Sequence, residues 1–295
     1  MTPTKPNAKP LPIAVVMITL NEAHNLEAVL DNIQGWAEEV FIVDSYSSDE
    51  TVDIALRRGV HVVQRAFQGF GDQWNFALEQ LPIKSKWTMK LDPDERLSAE
   101  LKASVTKIIR EDECDGCSLI RRLWFMGKPL QVEQSLVRIW RTGNCKFSEV
   151  AVNEHPHVNG SVHSVVGYLE HHDSPNLEHW LDKQNRYTSL EADIACRGAE
   201  LADKPLLLGS PLQRRMWLKR YFILLPGRYF FLFVYNWVWL GAGKAGRAGY
   251  IWSRLRSDIM RFIEYKRYEI ETTGCEPFNE HRAIGQPDDR VKQYD

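Results

Sequence analysis

The sequence is short of cysteine, with five in 295 residues, at positions 114, 117, 145, 196 and 275. An odd number at irregular spacing excludes a disulfide framework. Cys114-Asp115-Gly116-Cys117 has a zinc-like spacing but no second pair at a matching distance, so free thiols in a reducing, cytoplasmic compartment are expected. No Gly-x-Gly-x-x-Gly follows the first apolar run, which argues against a dinucleotide-binding Rossmann domain, and no Gly-x-x-x-x-Gly-Lys loop points to a nucleoside triphosphatase. Nothing near Met1 reads as a signal peptide, and residues 1–10, rich in Pro and Lys, read as a flexible tail. No apolar run reaches the ~20 residues that a membrane-spanning helix needs. Internal repeats and low-complexity blocks are also missing.

What is present is an alternation of strand and helix patterns. Ile13-Ala14-Val15-Val16-Met17-Ile18 is apolar without alternation, as suits a parallel strand covered on both faces, and it ends at Thr19-Leu20-Asn21-Glu22. Leu26, Val29, Leu30 and Ile33 follow at helical spacing, with Asn25 as the expected N-cap. Glu39 to Val43 reads as a second strand delivering Asp44, with Ser47, Ser48 and Asp49 opening a helix that runs to about Arg58. A strand at residues 61–64, a helix at 71–81 and a strand at 87–91 complete a repeated βαβ pattern. In such an open α/β sheet, ligands gather beyond the carboxyl ends of the strands. There the chain places Asn21-Glu22, Asp44 and Asp92-Pro93-Asp94. On the residues alone the last of these fits either a solvated turn or a carboxylate pair that holds a divalent cation and, through it, a diphosphate.

Three motifs in order, Ile18-Thr19-Leu20-Asn21-Glu22, Val43-Asp44-Ser45-Tyr46-Ser47-Ser48-Asp49-Glu50-Thr51 and Leu91-Asp92-Pro93-Asp94-Glu95, resemble the opening half of a family-two inverting glycosyltransferase with the GT-A fold. The resemblance continues through Val137-Arg138-Ile139-Trp140-Arg141, Val152-Asn153-Glu154 and Lys183-x-Asn185-Arg186-Tyr187, covers most of residues 12–260, and is greatest to the bacterial lipopolysaccharide-core glucosyltransferase branch. It implies an α/β fold, a Rossmann-like mixed sheet flanked by helices.

Carried over by residue, it puts Thr19 and Glu22 beside the nucleotide, with Asp44 accepting from the base, usually uracil. Gln73 and Asn75 fall on a Gln-x-Asn segment in which Trp74 replaces the common basic residue. Asp92 faces the ribose or the metal, Asp94 ligates the metal, and His171 is the histidine that joins it. Neutral imidazole suits Mn²⁺ better than Mg²⁺. Glu154 matches the catalytic base that takes the acceptor's proton; without the upstream motifs, a cap on the turn before Pro156 is the better reading. Pro93, where the family has a small residue, and Lys90 depart from the pattern. Arg138 is assigned to the donor, whereas Arg121, Arg122 and Lys183 fit phosphate or acceptor contacts and ordinary salt bridges about equally.

Net charge of −2 conceals an asymmetry, because residues 210–270 carry 12 Lys/Arg against 3 Asp/Glu. The same stretch holds Tyr221 to Leu225 and the aromatic run Tyr229 to Leu240, interrupted by Pro226-Gly227-Arg228. Flanked by Arg214, Arg215, Lys219, Arg220, Lys244 and Arg247, these segments fit a module lying on an anionic membrane surface; packing against the catalytic domain or a second copy is the alternative. Long apolar runs between the charges fit nucleic acid poorly. The glycine-rich stretch from Gly241 to Gly249 either ends the transferase pattern or permits close helix packing.

The expected organisation is a tail (1–10), a GT-A domain with its following helix (11–208), a basic, aromatic-rich helical module (209–273) and a polar, mobile tail (274–295). The expected activity is metal-dependent hexose transfer from a UDP-sugar to a lipid-linked saccharide, on the cytoplasmic side of the bacterial inner membrane. A polyprenyl-phosphate sugar transferase and a catalytically silent membrane scaffold are the rival readings.

Overall fold

The computed structural model of the chain describes residues 9–148, 155–196, 206–209, 213–214, 216–217, 221–222, 225–274 and 286–292. The chain divides into two compact units, one of residues 1–122, 133–172 and 280–295, the other of residues 123–132 and 173–279.

In the first unit, strands Leu11–Thr19 (β1), Ala37–Asp44 (β2), His61–Gln64 (β3) and Trp87–Lys90 (β4) alternate with helices Ala23–Ile33 (α1), Thr51–Arg57 (α2) and Phe70–Gln80 (α3). β1 pairs in parallel with β2 and β4, and β2 with β3, so the expected βαβ repeat is present. Then follow Glu95–Leu97 (β5), helix Ala99–Glu111 (α4), Gly116–Phe125 (β6), Lys128–Arg141 (β7), the small pair Cys145–Phe147 (β8) and Pro156–Val158 (β9), and Val162–His171 (β10). The main sheet has the order β3-β2-β1-β4-β7-β6-β10-β5, and the β4–β7 and β10–β5 pairings are antiparallel. This is a mixed GT-A-type sheet.

The missing alternation in β1 has a direct cause. Ile13, Val15 and Met17 join a core cluster with Leu26, Val29 and Ile33 of α1 and Leu101 and Val105 of α4. Ala14 and Val16 enter a second cluster with Trp74 and Ala77 of α3 and with Trp140 and Phe147. Both faces are therefore covered, and each large side chain so buried contributes roughly 1.5–3 kcal/mol.

Helix α1 begins earlier than the Asn25 cap predicted. Asn21 takes a left-handed conformation (φ 56°), which turns the chain at once, and Glu22 occupies the N-cap position. Asn25 lies inside the first turn, donating from Nδ2 to Glu22 Oε2 at 2.9 Å. The N–H groups at the helix start are satisfied from a distant loop, Glu22 N–H by Thr51 Oγ1 (2.9 Å) and Ala23 N–H by Asp49 Oδ2 (3.1 Å).

The second unit comprises the tip of the β6–β7 hairpin with helix Leu177–Cys196 (α5), helix Arg228–Val234 (α6), a π-helical turn Tyr235–Trp239, a 3₁₀ turn Ala242–Ala245 and helix Arg247–Thr273 (α7). Its own core contains Phe125, Leu130, Trp180, Ala242, Trp252 and Ile259. A Cβ on Gly249 would stand 1.7 Å from the carbonyl oxygen of Ala242, so the glycine-rich stretch does permit close packing.

Two expected boundaries shift. The division falls after His172 and not at 208, because α5 packs with α7 in the second unit. Residues 286–292, expected in a mobile tail, are docked on the first unit, with Val291 buried in its core and Lys292 bridged to Val63 of β3. Among the described residues no helix is long and apolar enough to cross a membrane.

Candidate active site

The parallel strands deliver their polar ends to one sheet edge. Asp44, closing β2, is completely buried and accepts four hydrogen bonds. Its Oδ1 receives Thr19 Oγ1 (2.8 Å) and Ser47 Oγ (2.5 Å), and its Oδ2 receives the Ser47 N–H and Gln64 Nε2 (both 2.9 Å). Asn21 N–H donates to Ser47 Oγ (2.8 Å), and Ser48 N–H donates to Asn21 Oδ1 (2.8 Å). Asp44 thus ties the end of β1 to the loop leading into α2. Its immediate partners are protein groups.

Gln73, also fully buried, donates from Nε2 to Ser45 Oγ (3.3 Å) and accepts from Arg65 Nη1 (2.8 Å). Asn75 does something else. Its amide pairs with the backbone of Phe147 in both directions, at 3.0 and 2.8 Å, and so anchors β8.

Beyond β4 the chain turns through Asp92-Pro93-Asp94-Glu95. Arg96 holds the turn by donating to the carbonyl of Pro93 (2.6 Å). Arg138 of β7 donates from Nη2 to Asp92 Oδ2 (2.9 Å) and to Glu95 Oε1 (2.7 Å), and Glu95 Oε2 accepts from the Asp92 N–H (3.1 Å). Burial pushes the Asp92 carboxyl up, but Arg138 and Lys90 outweigh it and hold it below the usual range. For Glu95, completely buried, desolvation prevails over Arg138 and raises it.

Antiparallel pairing of β10 with β5 sets His171 opposite Glu95. That register brings His171 Nε2 to 3.2 Å from Asp94 Oδ2, while His172 N–H donates to the Asp94 carbonyl (2.8 Å). A carboxylate oxygen and an imidazole nitrogen so close, with Asp94 only 7% exposed, form a donor pair that a first-row divalent ion fits.

The structure therefore brings Thr19 and Asp44 together, and separately Asp92, Asp94, Arg138 and His171. Glu22 stands at the start of α1, next to the loop that Asp44 organises. Glu154, with Val152 and Asn153, lies outside the described residues, as do Arg215, Lys219 and Arg220. Arg122 pairs with Glu170 and stacks over Tyr168 at 4.0 Å, Arg121 donates to Gln134 (2.8 Å), and in the second unit Lys183 pairs with Asp173 at 2.9 Å. Cys114 and Cys117 are buried free thiols.

Glu95 and Gln64 carry no motif signal of their own, because their roles depend on partners 43 and 20 residues away in sequence. Lys90 and Trp74, two departures from the family pattern, form one feature: the buried Lys90 ammonium sits 4.5 Å over the Trp74 ring and 5.3 Å from that of Phe147. A cation expected on α3 is supplied from β4.

Sheet order, acidic loop and histidine together define a nucleotide-sugar-dependent class of transferase. The family model for glycosyl transferase family 2 matches residues 14–171, and the chain belongs to that family. It is a glycosyltransferase. An uncharacterized glycosyltransferase of Rickettsia prowazekii (strain Madrid E) is 26% identical over 209 residues, covering 65% of this chain and 70% of its own. A Rickettsia bellii (strain RML369-C) glycosyltransferase is 36% identical over 103 residues, 35% of this chain and 34% of that one. Among solved structures, a mannosyltransferase from Pyrobaculum calidifontis in complex with GDP-mannose and Mn²⁺ matches with a TM-score of 0.50 at 16% identity, covering 88% of this chain and 89% of that one. The last likeness speaks to the fold.

Proposed function

We propose that the protein transfers a hexose, with inversion, from a UDP-linked donor to a hydroxyl of a lipid-linked saccharide such as lipopolysaccharide core, working peripherally on the cytoplasmic face of the bacterial inner membrane. The observation that carries the donor half is the convergence of Asp94 and His171 beyond the carboxyl end of β4, next to the Arg138-held Asp92. Asp94 and His171 would hold a divalent ion, which when bound neutralises the diphosphate leaving group. Asp92 is oriented by Arg138 toward the donor's ribose or that ion. Asp44 acts through the loop it secures, presenting residues 45–48 to the base. Glu154 is assigned by resemblance as the base that removes the acceptor's proton as its oxygen attacks the anomeric carbon. One in-line displacement inverts that carbon and needs no covalent enzyme intermediate.

The membrane reading is supported by the second unit. Phe230 and Phe231 are each 65% exposed and Trp239 is 80% exposed, with Tyr235 and Val238 exposed beside them. Lys244, Arg247 and Arg254 lie in the same stretch of chain. Arg228 serves a different end, since it is tied to Glu264 (2.5 Å) and stacks on Tyr229.

Donor binding and hydrolysis across a panel of UDP-, GDP- and other nucleotide-sugars, with Mn²⁺, Mg²⁺ or EDTA, test the reading. Metal-dependent recognition of one UDP-sugar, lost in Asp94→Asn, is expected. Recognition of no donor with either metal would leave a silent scaffold as the better account. Transfer to a polyprenyl phosphate in preference to a saccharide hydroxyl would replace the acceptor assignment.

A further inference from the structure

Residues 286–292 do more than cover the sheet edge. The strap's Asp288 N–H donates to Gln64 Oε1 at 2.6 Å, and the other end of the same amide donates to Asp44 Oδ2 at 2.9 Å. Both ends of the amide are unambiguous, since a backbone N–H only donates and a carboxylate only accepts, so the two contacts demand one orientation of Gln64. Gln64 is 2% exposed and Asp44 is fully buried, where each hydrogen bond to the carboxylate counts most. From Asp44 the chain of contacts runs to Ser47 and, through Ser47 Oγ, to Asn21.

The strap has its own fastenings. Arg290 bonds Asp53 of α2 at 2.7 Å and Asp288 at 2.5 Å, Val291 is buried in the core cluster, and Lys292 bridges to Val63. Between strap and sheet edge lies a cavity of about 530 Å³, bordered by Ser47, Asp49 and Gln64 on one side and residues 286–290 on the other.

We propose that residues 286–292 form a positioning strap for the donor nucleotide, acting through the relay Asp288 N–H, Gln64 and Asp44 on the loop at the carboxyl end of β2. The proposal rests on the nucleotide-sugar reading above. The strap reaches no reacting atom, so its effect belongs to donor affinity and not to the chemical step.

The test compares two full-length variants. Asp288→Ala removes the carboxylate and keeps the N–H; Asp288→Pro removes both and also fixes φ, so their difference reads the loss of the strap's hydrogen bond to Gln64 together with that backbone constraint, and Val291→Asp supplies the arm without it. UDP binding in the presence of Mn²⁺ is measured by titration calorimetry, and UDP-glucose hydrolysis supplies KM and kcat. Asp288→Pro is expected to bind UDP about fivefold more weakly than Asp288→Ala, the scale of one buried hydrogen bond. KM should rise to match, at unchanged kcat. Val291→Asp, which expels the strap's apolar anchor, should give the same split and serves if the proline variant fails to fold. Equal UDP affinity in the alanine and proline variants, or a fall in kcat at constant KM, would overturn the strap while leaving the donor reading intact. Failure of the wild-type chain to bind UDP with either Mn²⁺ or Mg²⁺ would overturn the donor reading itself, and the strap with it.

Discussion

Arg138 reaches two carboxylates at once, Asp92 and Glu95, from a side chain only 5% exposed. Removing one member of such a buried set is costly, because it strands a charge, whereas replacing the set by apolar groups can be nearly neutral. Arg138→Met is accordingly expected to destabilise the protein by about 3–5 kcal/mol in urea unfolding. The double variant Arg138→Met/Glu95→Leu should recover most of that loss yet still bind donor poorly, because Asp92 is no longer oriented. Recovery of donor affinity along with stability would show that Arg138 matters only for packing. Glu154 is argued at the same scale from its motif. Glu154→Gln should lower transfer by ~10²–10⁴-fold while leaving UDP-sugar affinity unchanged, the signature of a lost general base; turnover like that of wild type would remove Glu154 from the mechanism.

Among the elements, α7 depends on a missing side chain. Gly249 lets its first turn approach Ala242 so closely that a Cβ would lie 1.7 Å from a carbonyl oxygen, and that obstacle is backbone, which cannot rotate aside. Gly249→Ala should therefore cost roughly 3 kcal/mol, at the upper end of overpacking penalties, measurable as a lowered denaturation midpoint. Ser253, one turn further on, returns a hydrogen bond to the Gly249 carbonyl (2.7 Å) and leaves the helix backbone no slack at this point. Helix α1 shows the same dependence on its surroundings, since its first N–H groups are satisfied by Asp49 and Thr51.

For the whole molecule the balance of charge and exposed apolar surface is decisive. A net charge of −2 would predict indifference to anionic lipid, but 12 of the 37 Lys/Arg fall within residues 210–270. Large aromatic side chains in that stretch face solvent. Full-length protein should sediment with vesicles containing phosphatidylglycerol and much less with phosphatidylcholine alone, and salt should weaken the association. Replacing Phe230, Phe231 and Trp239 together by Ser should reduce partitioning by at least ~10³-fold, since burial of each contributes roughly 1.5–3 kcal/mol and every 1.4 kcal/mol is tenfold. Vesicle binding unaffected by that change would point to a different surface, and a concentration-dependent dimer lost in the same variant would assign these aromatics to a second copy of the chain.

Local chemistry made much of this legible in advance. The apolar runs, the helical spacing of Leu26, Val29, Leu30 and Ile33, and the motif order from Thr19 to Glu95 determined the βαβ half of the sheet and its family, because period and strand-end position are properties of neighbouring residues. Asp94 and His171 were both selected from sequence, but their 3.2 Å approach was decided by the antiparallel register of β10 on β5. The burial of Asp44 behind four donors, the meeting of Lys90 with Trp74, the Glu95–Arg138 pair and the docking of residues 286–292 all join residues far apart in the chain. Which partner satisfies a buried polar group depends on what the fold brings within about 3 Å of it, and that distance exists only once the tertiary structure has formed.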